Sequence, residues 1–441
     1  MVNKSKQKSQ SSFDPKKDQI RHQLVISDLG VKGDGISHWR EQTVFLPYTL
    51  PGEIVEASLI DQEKGQFRGY DININKISTE RIRPVCQHFM ECGGCTAQHM
   101  HQNLYQQWKM NTLKSILDKY SFKTNILPLS RVPQKQRRRA QLKIFKNNTE
   151  TKLGFHDLAS HKLTDLQACF VLHPNITDLF EPLRTLIKHI PQSNFKARID
   201  CTVTDTGLDL FIETHIPLDL SSRSLLMDFA LAHNIIRLCY GASKKIFDLI
   251  IQTQKPEIIF DPIHIPFMPN IFLQPTKFGE KKIIEIIFNG IGKSKKILDL
   301  FAGCGPFSFA LSNKKLTVHA YEGEKNSVEA ALHAIKHYNL QNKLSFRQRD
   351  LFLEPLTGNE LKEFDCAIFN PPRAGALKQA ITLAKSNIPL IIGVSCNPAT
   401  FVRDAEILRE GGYILQEIHP IDQFLWSHHL ELVAIFSKNK Y

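Results

Sequence analysis

From about residue 270 onward, short apolar runs alternate with helical stretches, and this constrains the fold more than any other feature of the 441-residue chain. The runs "KKILDLF", "LTVHAYE", "LSFRQRD", "FDCAIFN", "IPLIIGVS" and "YILQEIHP" read as strands, separated by segments such as "KNSVEAALHAIKHYNL". A last run, "LELVAIFS", follows with no helix before it. Strand and helix in alternation predict a mostly parallel, seven-stranded sheet with helices on both faces. Ligands then bind outside the carboxyl ends of the strands. We place this α/β domain at residues 261–441.

A chain this long exceeds what one core usually supports, so further domains are expected before it. Residues 22–80 carry short alternating runs, among them "HQLVISDLG", "TVFLPYTL" and "YDININKIS", punctuated by glycine and proline, which predicts a small β-barrel. "VFLPYTLPGEIVEASL" resembles the TRAM domain, an OB-like barrel of RNA-modifying enzymes. Residues 81–260 read as a mixed α+β region with a helix near 100–120. In that helix Leu104, Trp108, Met110, Leu113, Ile116 and Leu117 recur at helical spacing as a core stripe. Residues 1–21 are polar and basic without an apolar segment, so a disordered tail, a cytoplasmic location and no membrane partner are expected.

The formal net charge of +12 favours a polyanionic partner. Nine cysteines in a reducing compartment argue against a disulfide framework. Nothing in the chain calls for an obligate protein partner, and a monomer is expected.

"ILDLFAGCGPFSFALS" reads as strand, glycine turn and helix, with Gly303 and Gly305 letting a ligand approach the backbone. Glycines in such turns often serve geometry alone. The next strand, however, ends at Glu322, about twenty residues on, where a carboxylate can accept ribose hydroxyls. A dinucleotide and S-adenosylmethionine both suit this arrangement, but the third glycine of a dinucleotide fingerprint is a serine here. "DLFAGCG" instead resembles the first motif of Rossmann-like methyltransferases, and Asp350 of "QRD" matches their adenine contact, which favours S-adenosylmethionine.

The fourth strand ends in "FNPPRAGA" and the fifth in "SCNPATF", so Asn370 and Cys396 should meet, with Glu431 of "SHHLELVAIF" nearby. A lone cysteine at a strand end is usually a small buried hydrophobe. Here "VSCNPATF" with "PPRAGA" resembles the RNA uracil-5-methyltransferase family, in particular its 23S ribosomal RNA branch. The resemblance implies Cys396 as the thiolate that adds to carbon 6 of uracil and Glu431 as the base that removes the carbon 5 proton. It further implies that Gln274 of "NIFLQPTKFGEKK", Phe301, Gly303, Gly305, Glu322, Asp350 and Asn370 line the cofactor pocket.

Two positions depart from the family pattern. Pro306 stands where many relatives have asparagine, and Asn370 where they have aspartate. Asparagine removes a negative charge beside a sulfonium and adds a donor. "NPP" also opens the motif of methyltransferases acting on adenine amino groups, but Arg373 in place of an aromatic, together with Cys396, favours uracil.

"CQHFMECGGC" supplies Cys86, Cys92 and Cys95, and Cys169 is a distant fourth. The density indicates a metal site. Zinc usually shows paired CxxC units, whereas this spacing matches the [4Fe-4S] site of the ribosomal branch. Cys201, Cys239, Cys304 and Cys366 read as ordinary buried thiols. "RVPQKQRRRAQLKIF" concentrates Arg137, Arg138 and Arg139 as expected phosphate contacts.

The whole implies an S-adenosylmethionine-dependent enzyme forming 5-methyluridine in 23S rRNA through a covalent cysteine adduct. The alternatives are a transfer RNA enzyme of the same chemistry, or an RNA-binding assembly factor silenced by Asn370.

Overall fold

Strands whose side chains are apolar on both faces must be covered on both faces, and the "KILDL" and "CAIF" strands are of this kind. The computed structural model describes residues 20–62, 65–157, 162–260, 262–269, 271–312 and 315–438. All but the last two residues of the expected tail, residues 1–21, lie outside them. The chain divides into two units: Met1–Arg83 with His99–Trp108, and Pro84–Gln98 with Lys109–Tyr441.

In the first unit, six strands run in the order His22–Val25, Ile54–Gln62, Gln66–Lys76, Gln42–Leu46, Gly35–Trp39, Asp28–Leu29. Alternate residues Leu24, Val44, Leu46, Val55, Ala57 and Leu59 form its core. The Ser27 amide donates to Ile36 O at 2.8 Å and Ser37 Oγ to Val25 O at 2.8 Å, so the sheet curls back on itself.

The second unit holds two large sheets. One is antiparallel except for a single pair, in the order Leu163–Asp165, Thr151–His156, Arg139–Lys146, Phe195–Val203, Leu208–Glu213, Ile235–Ser243, Ile246–Gln252. Its buried face, with Leu142, Ile144, Ile199 and Leu210, shares a core with Leu183 and Ile187 of the Phe180–His189 helix. Leu226 and Phe229 of the Leu220–Ala232 helix join the same core.

The other sheet runs Leu344–Gln348, Thr317–Glu322, Lys296–Leu300, Cys366–Phe369, Leu390–Ser395, Glu431–Lys438, Tyr413–Asp422. The first five are parallel, and Glu431–Lys438 is antiparallel to both neighbours. The sheet has nine strands, not seven, because Asn125–Ile126 and Ser130–Arg131 add to its Tyr413–Asp422 edge. Two-residue strands carry no periodicity that a sequence could display. Ile297, Val318, Ile368, Ile392 and Val433 face a core shared with the Lys277–Gly290, Pro306–Ser312 and Lys325–His337 helices. Leu298, Leu300, Ala367, Ile391 and Leu432 face the opposite core, with the Leu377–Ala384 and Pro398–Glu410 helices. No helix among the described residues is long and apolar enough to cross a membrane.

Candidate active site

Strand order reverses at Lys296–Leu300, which has Thr317–Glu322 on one side and Cys366–Phe369 on the other. Such a switch point opens a crevice at the carboxyl ends of the strands. Phe301 and Asn370 stand on its two sides, joined by the Asn370 amide donating to Leu300 O at 3.2 Å.

On the Phe301 side the backbone turns sharply, with φ of +61° at Phe301, +58° at Gly303 and +86° at Gly305. A left-handed phenylalanine is strained, and such strain gathers at ligand sites. A Cβ at Gly305 would strike the Phe309 ring at 2.9 Å, whereas one at Gly303 would meet nothing within 4 Å. Packing therefore explains Gly305, while Gly303 borders open space that a ligand can enter. Glu322 braces this turn, accepting from the Gly303 amide and the Glu324 amide, both at 2.8 Å. Each carboxylate oxygen keeps a further lone pair for a hydroxyl.

Asp299, buried at the end of the preceding strand, accepts from Ser308 Oγ at 2.6 Å, while its Oδ1 has no partner among the described residues. Burial pushes its carboxyl up to about 7. Asp350 lies beside Gly323, but its Oδ1 accepts from the Phe352 and Leu353 amides of its own turn. The Phe301 ring packs against Phe352 at 5.3 Å and Phe369 at 6.1 Å. Phe352, exposed in the structure, gave no signal in the sequence beyond being an aromatic after "QRDL".

The reacting side is built by strand register. Ser395 pairs with Leu432 across an antiparallel ladder, so Cys396, leaving one strand, and Glu431, entering the next, emerge at the same edge. A parallel final strand would have put Glu431 at the opposite end of the sheet. The Cys396 loop is tied to the loop after Asn370. Asn397 Nδ2 and Thr400 Oγ1 each donate to Arg373 O at 3.1 Å, and Asp404 accepts from the Ala376 amide at 3.0 Å. Arg403 donates to Ala374 O at 3.2 Å, so the two loops form one braced body. The Asn370 side chain has no hydrogen-bond partner among the described residues.

Burial, and then the nearby Glu431 carboxyl, push the half-buried Cys396 thiol up, while the Arg373 guanidinium pulls it down. Arg373→Gln is therefore expected to shift alkylation of Cys396 by iodoacetamide to higher pH and slow it several-fold at pH 8. An unchanged rate would remove Arg373 from the site. Burial pushes Glu431 up to about 7, against the lowering effect of its hydrogen bond from Gln423.

Gln423 is the residue sequence reading missed. Its Nε2 donates to Glu431 Oε2 at 2.6 Å and to Gln274 Oε1 at 3.0 Å, joining the expected base to the expected cofactor residue. It is buried, and a Cβ at Gly279 would lie 2.5 Å from its Oε1, so only glycine fits there. The available clue was an Asp-Gln pair closing an apolar strand, "IHPIDQF".

One residue of the basic stretch, Arg138, requires a correction. Arg138 is 4% exposed and is not a phosphate contact. Its Nη2 pairs with buried Glu280 at 2.6 Å and its Nε donates to Gln274 O at 3.0 Å. Arg139 Nη1 donates to Leu273 O at 3.1 Å, and Arg137 bridges to both Leu172 and Thr276. Arg138 and Arg139 together strap down the Gln274 segment, because a buried guanidinium such as that of Arg138 needs buried acceptors, while Arg137 and Arg139 stay half-exposed. Arg138→Met leaves buried Glu280 with only the longer Lys277 ion pair at 3.3 Å and is expected to cost ~3 kcal/mol. Thermal melting should show a larger drop than for Arg139→Met; equal drops would deny the clamp.

Cys86, Cys92, Cys95 and Cys169 are half-buried free thiols near enough to affect one another. Burial pushes Cys95 up to about 12, with Cys169, Cys92 and Cys86 adding to it. Arg137 lies beside Cys169 and Cys95. Among the described residues no group of three or more His, Cys, Asp or Glu side chains closes on a point that could hold a metal ion. Cys201, Cys239, Cys304 and Cys366 are fully buried.

Comparison with known proteins decides the family. The family model described as tRNA (Uracil-5-)-methyltransferase matches residues 100–439. The chain belongs to the tRNA (uracil-5-)-methyltransferase family. An uncharacterized RNA methyltransferase of Mesorhizobium japonicum is 35% identical over 94% of this chain and 98% of that protein. The 23S rRNA (uracil(1939)-C(5))-methyltransferase RlmD of Shewanella denitrificans is 30% identical over 94% of this chain and 95% of its own length. Among solved structures, the Pyrococcus abyssi tRNA (uracil-54, C5)-methyltransferase, in complex with S-adenosyl-L-homocysteine, matches with a TM-score of 0.75. It covers 94% of this chain and 99% of that one at 20% identity, which establishes the methyltransferase fold. In this uracil-5-methyltransferase family member the crevice at the switch point, with Cys396 and Glu431 beside it, is the candidate active site.

Proposed function

We propose that this chain methylates carbon 5 of a uridine in 23S ribosomal RNA, through a transient bond between Cys396 and carbon 6 of the base. The observation that carries this reading is the meeting of a thiol, a carboxyl with affinity near 7 and a guanidinium at one sheet edge beside the cofactor crevice. Similarity to RlmD over nearly the whole of both chains supports ribosomal over transfer RNA. The curled N-terminal sheet, as a TRAM-like module, would help hold the RNA. The protein would act as a cytoplasmic monomer.

S-adenosylmethionine, when bound over Gly303 with Phe301, Glu322, Asp350, Asn370 and Gln274 around it, supplies an electrophilic methyl group on a sulfonium. Cys396 adds as thiolate to carbon 6, and the electrons of the 5,6 double bond move into an enolate, making carbon 5 nucleophilic. After carbon 5 is methylated, Glu431 takes its proton, the double bond re-forms and Cys396 leaves as thiolate. Arg373 favours the thiolate at both ends of this cycle. An uncharged Asn370 spares that thiolate an additional repulsion.

The four thiols Cys86, Cys92, Cys95 and Cys169 suit a [4Fe-4S] cluster better than zinc. Zinc sites more often use paired CxxC units, whereas three thiols within ten residues and a distant fourth suit the thiolate set of a cluster, in which each meets its own iron. When bound, the cluster would supply a cross-link between the 86–95 segment and the loop that carries Cys169.

The test is incubation of the cluster-loaded protein with S-adenosylmethionine and either uridine- or 5-fluorouridine-containing RNA, as 23S fragments and as tRNA transcripts. Methyl transfer to uridine and a denaturation-stable adduct on fluorinated 23S fragments support the proposal. Transfer to tRNA alone would move the substrate, and tight RNA binding with neither methylation nor adduct would make the chain a binding factor.

A further inference from the structure

Outside the active site, the least explained surface is the open face of the sheet running from Leu163–Asp165 to Ile246–Gln252. One face of this sheet is covered by helices, and the other carries a concavity of about 560 Å³ lined by none of the active-site residues. Cross-strand register sets what stands in it. Phe145 pairs with Lys152 on one side and Lys196 on the other, so an aromatic ring lies in a row between two lysines. Residues directly opposite one another on adjacent strands share a face. In the next row Lys143 pairs with Arg198, which pairs with Glu213.

The charges in this concavity are unbalanced. Glu150 pairs with Lys152 at 2.8 Å and Glu213 with Arg198. Neither Lys143 nor Lys196 has a carboxylate partner among the described residues, and Lys196 Nζ instead sits over the Phe145 ring, 5.4 Å from its centre. A half-buried aromatic beside two cations without counter-charges, Lys196 on the neighbouring strand and Lys143 two residues along its own, is poorly suited to covering by a protein core or an acyl chain. It suits a base, which offers a π-face to the ring while its flanking phosphates reach the lysines.

We propose that this face is a second RNA-binding surface, on which an unpaired nucleotide stacks on Phe145 and its flanking phosphates contact Lys143 and Lys196. This deepens the RNA substrate reading and rests on it. It gives these phosphate contacts to a sheet face and not to Arg138.

The experiment measures binding of a uridine oligonucleotide to the full-length, cluster-loaded protein across a range of salt concentrations. It compares the wild type with Phe145→Leu and with Lys143→Gln/Lys196→Gln, and follows adduct formation on fluorinated RNA in parallel. Loss of one stacked base is expected to weaken binding about tenfold in Phe145→Leu, with Phe145→Tyr restoring it. Loss of two phosphate contacts should flatten the slope of log affinity against log salt by ~1.4. Melting temperatures equal to wild type would exclude misfolding, and Phe145→Tyr serves as the rescue should Phe145→Leu melt lower. Unchanged affinity and slope in the variants, with wild-type adduct intact, would overturn this surface while leaving the enzyme. Weakened binding with no adduct in the wild type would overturn the enzyme while leaving the surface. A polyglutamate peptide that binds as tightly and responds to the same variants would make the partner an acidic protein and overturn the proposal.

Discussion

A Glu431→Gln enzyme, given S-adenosylmethionine and uridine-containing RNA, is expected to stall as a methylated protein–RNA adduct visible on a denaturing gel. Glutamine keeps the shape of the carboxyl and can still meet Gln423, but it cannot accept the carbon 5 proton. A positioned base contributes 10²–10⁴-fold, so turnover should fall by about a thousandfold. Turnover within tenfold of wild type would assign the proton to another group. Burial holds the Glu431 carboxyl at about 7, so in the wild type the basic form falls tenfold per pH unit below 7 and saturates above it. The elimination rate should follow that curve, and the variant should lack it. Stability runs the opposite way. A carboxyl raised from 4.5 to about 7 on folding stabilises the protein fully below 4.5 and loses that contribution as pH climbs through 7. Glu431→Gln should therefore melt above wild type at pH 8, the stability gain expected when a buried catalytic charge is neutralised.

Cys396→Ala is expected to abolish both turnover and the fluorouridine adduct, a loss of at least ~10⁴-fold, because no neighbouring group can replace the covalent step. RNA affinity should stay within a few-fold of wild type. Adding Glu431→Gln to Cys396→Ala should change nothing further, since the base acts only after the thiol, and groups that act as a unit are not additive. Residual methylation by Cys396→Ala would show that uracil is activated in some other way.

Much of this centre was legible because its residues follow strand ends, and strand ends are visible as breaks in apolar runs. Gly303, Glu322, Asn370 and Cys396 each stand at such a break, and a parallel sheet carries all such ends to one edge. Glu431 was placed by its motif, and the Ser395–Leu432 register, which no spacing in the sequence encodes, explains why it arrives there. Gln423 was illegible because its importance lies in joining Glu431, a few residues further on, to Gln274, far away in the chain. The triple arginine misled at Arg138 for a related reason. A charge run specifies sign and not partner, and Glu280 and three main-chain carbonyls of distant or local segments compete with phosphate for those guanidinium groups. The lysines around Phe145 are scattered over three strands and become a patch only when the strands are paired.

The reversal of strand order divides labour between two halves of one sheet. The residues we assign to the methyl donor, apart from Gln274 and Asn370, hang from Lys296–Leu300 and the strands to one side of it. Those that engage the pyrimidine hang from strands on the other side, and the parallel ladder between Lys296–Leu300 and Cys366–Phe369, closed by the Asn370 to Leu300 main-chain hydrogen bond, joins the two at the boundary. Apart from the Gln423 link between Gln274 and Glu431, donor affinity and acceptor chemistry thus sit on separate halves of the sheet, so a lineage could retune its hold on the sulfonium at Glu322 or Asp350 without disturbing the geometry that captures the base.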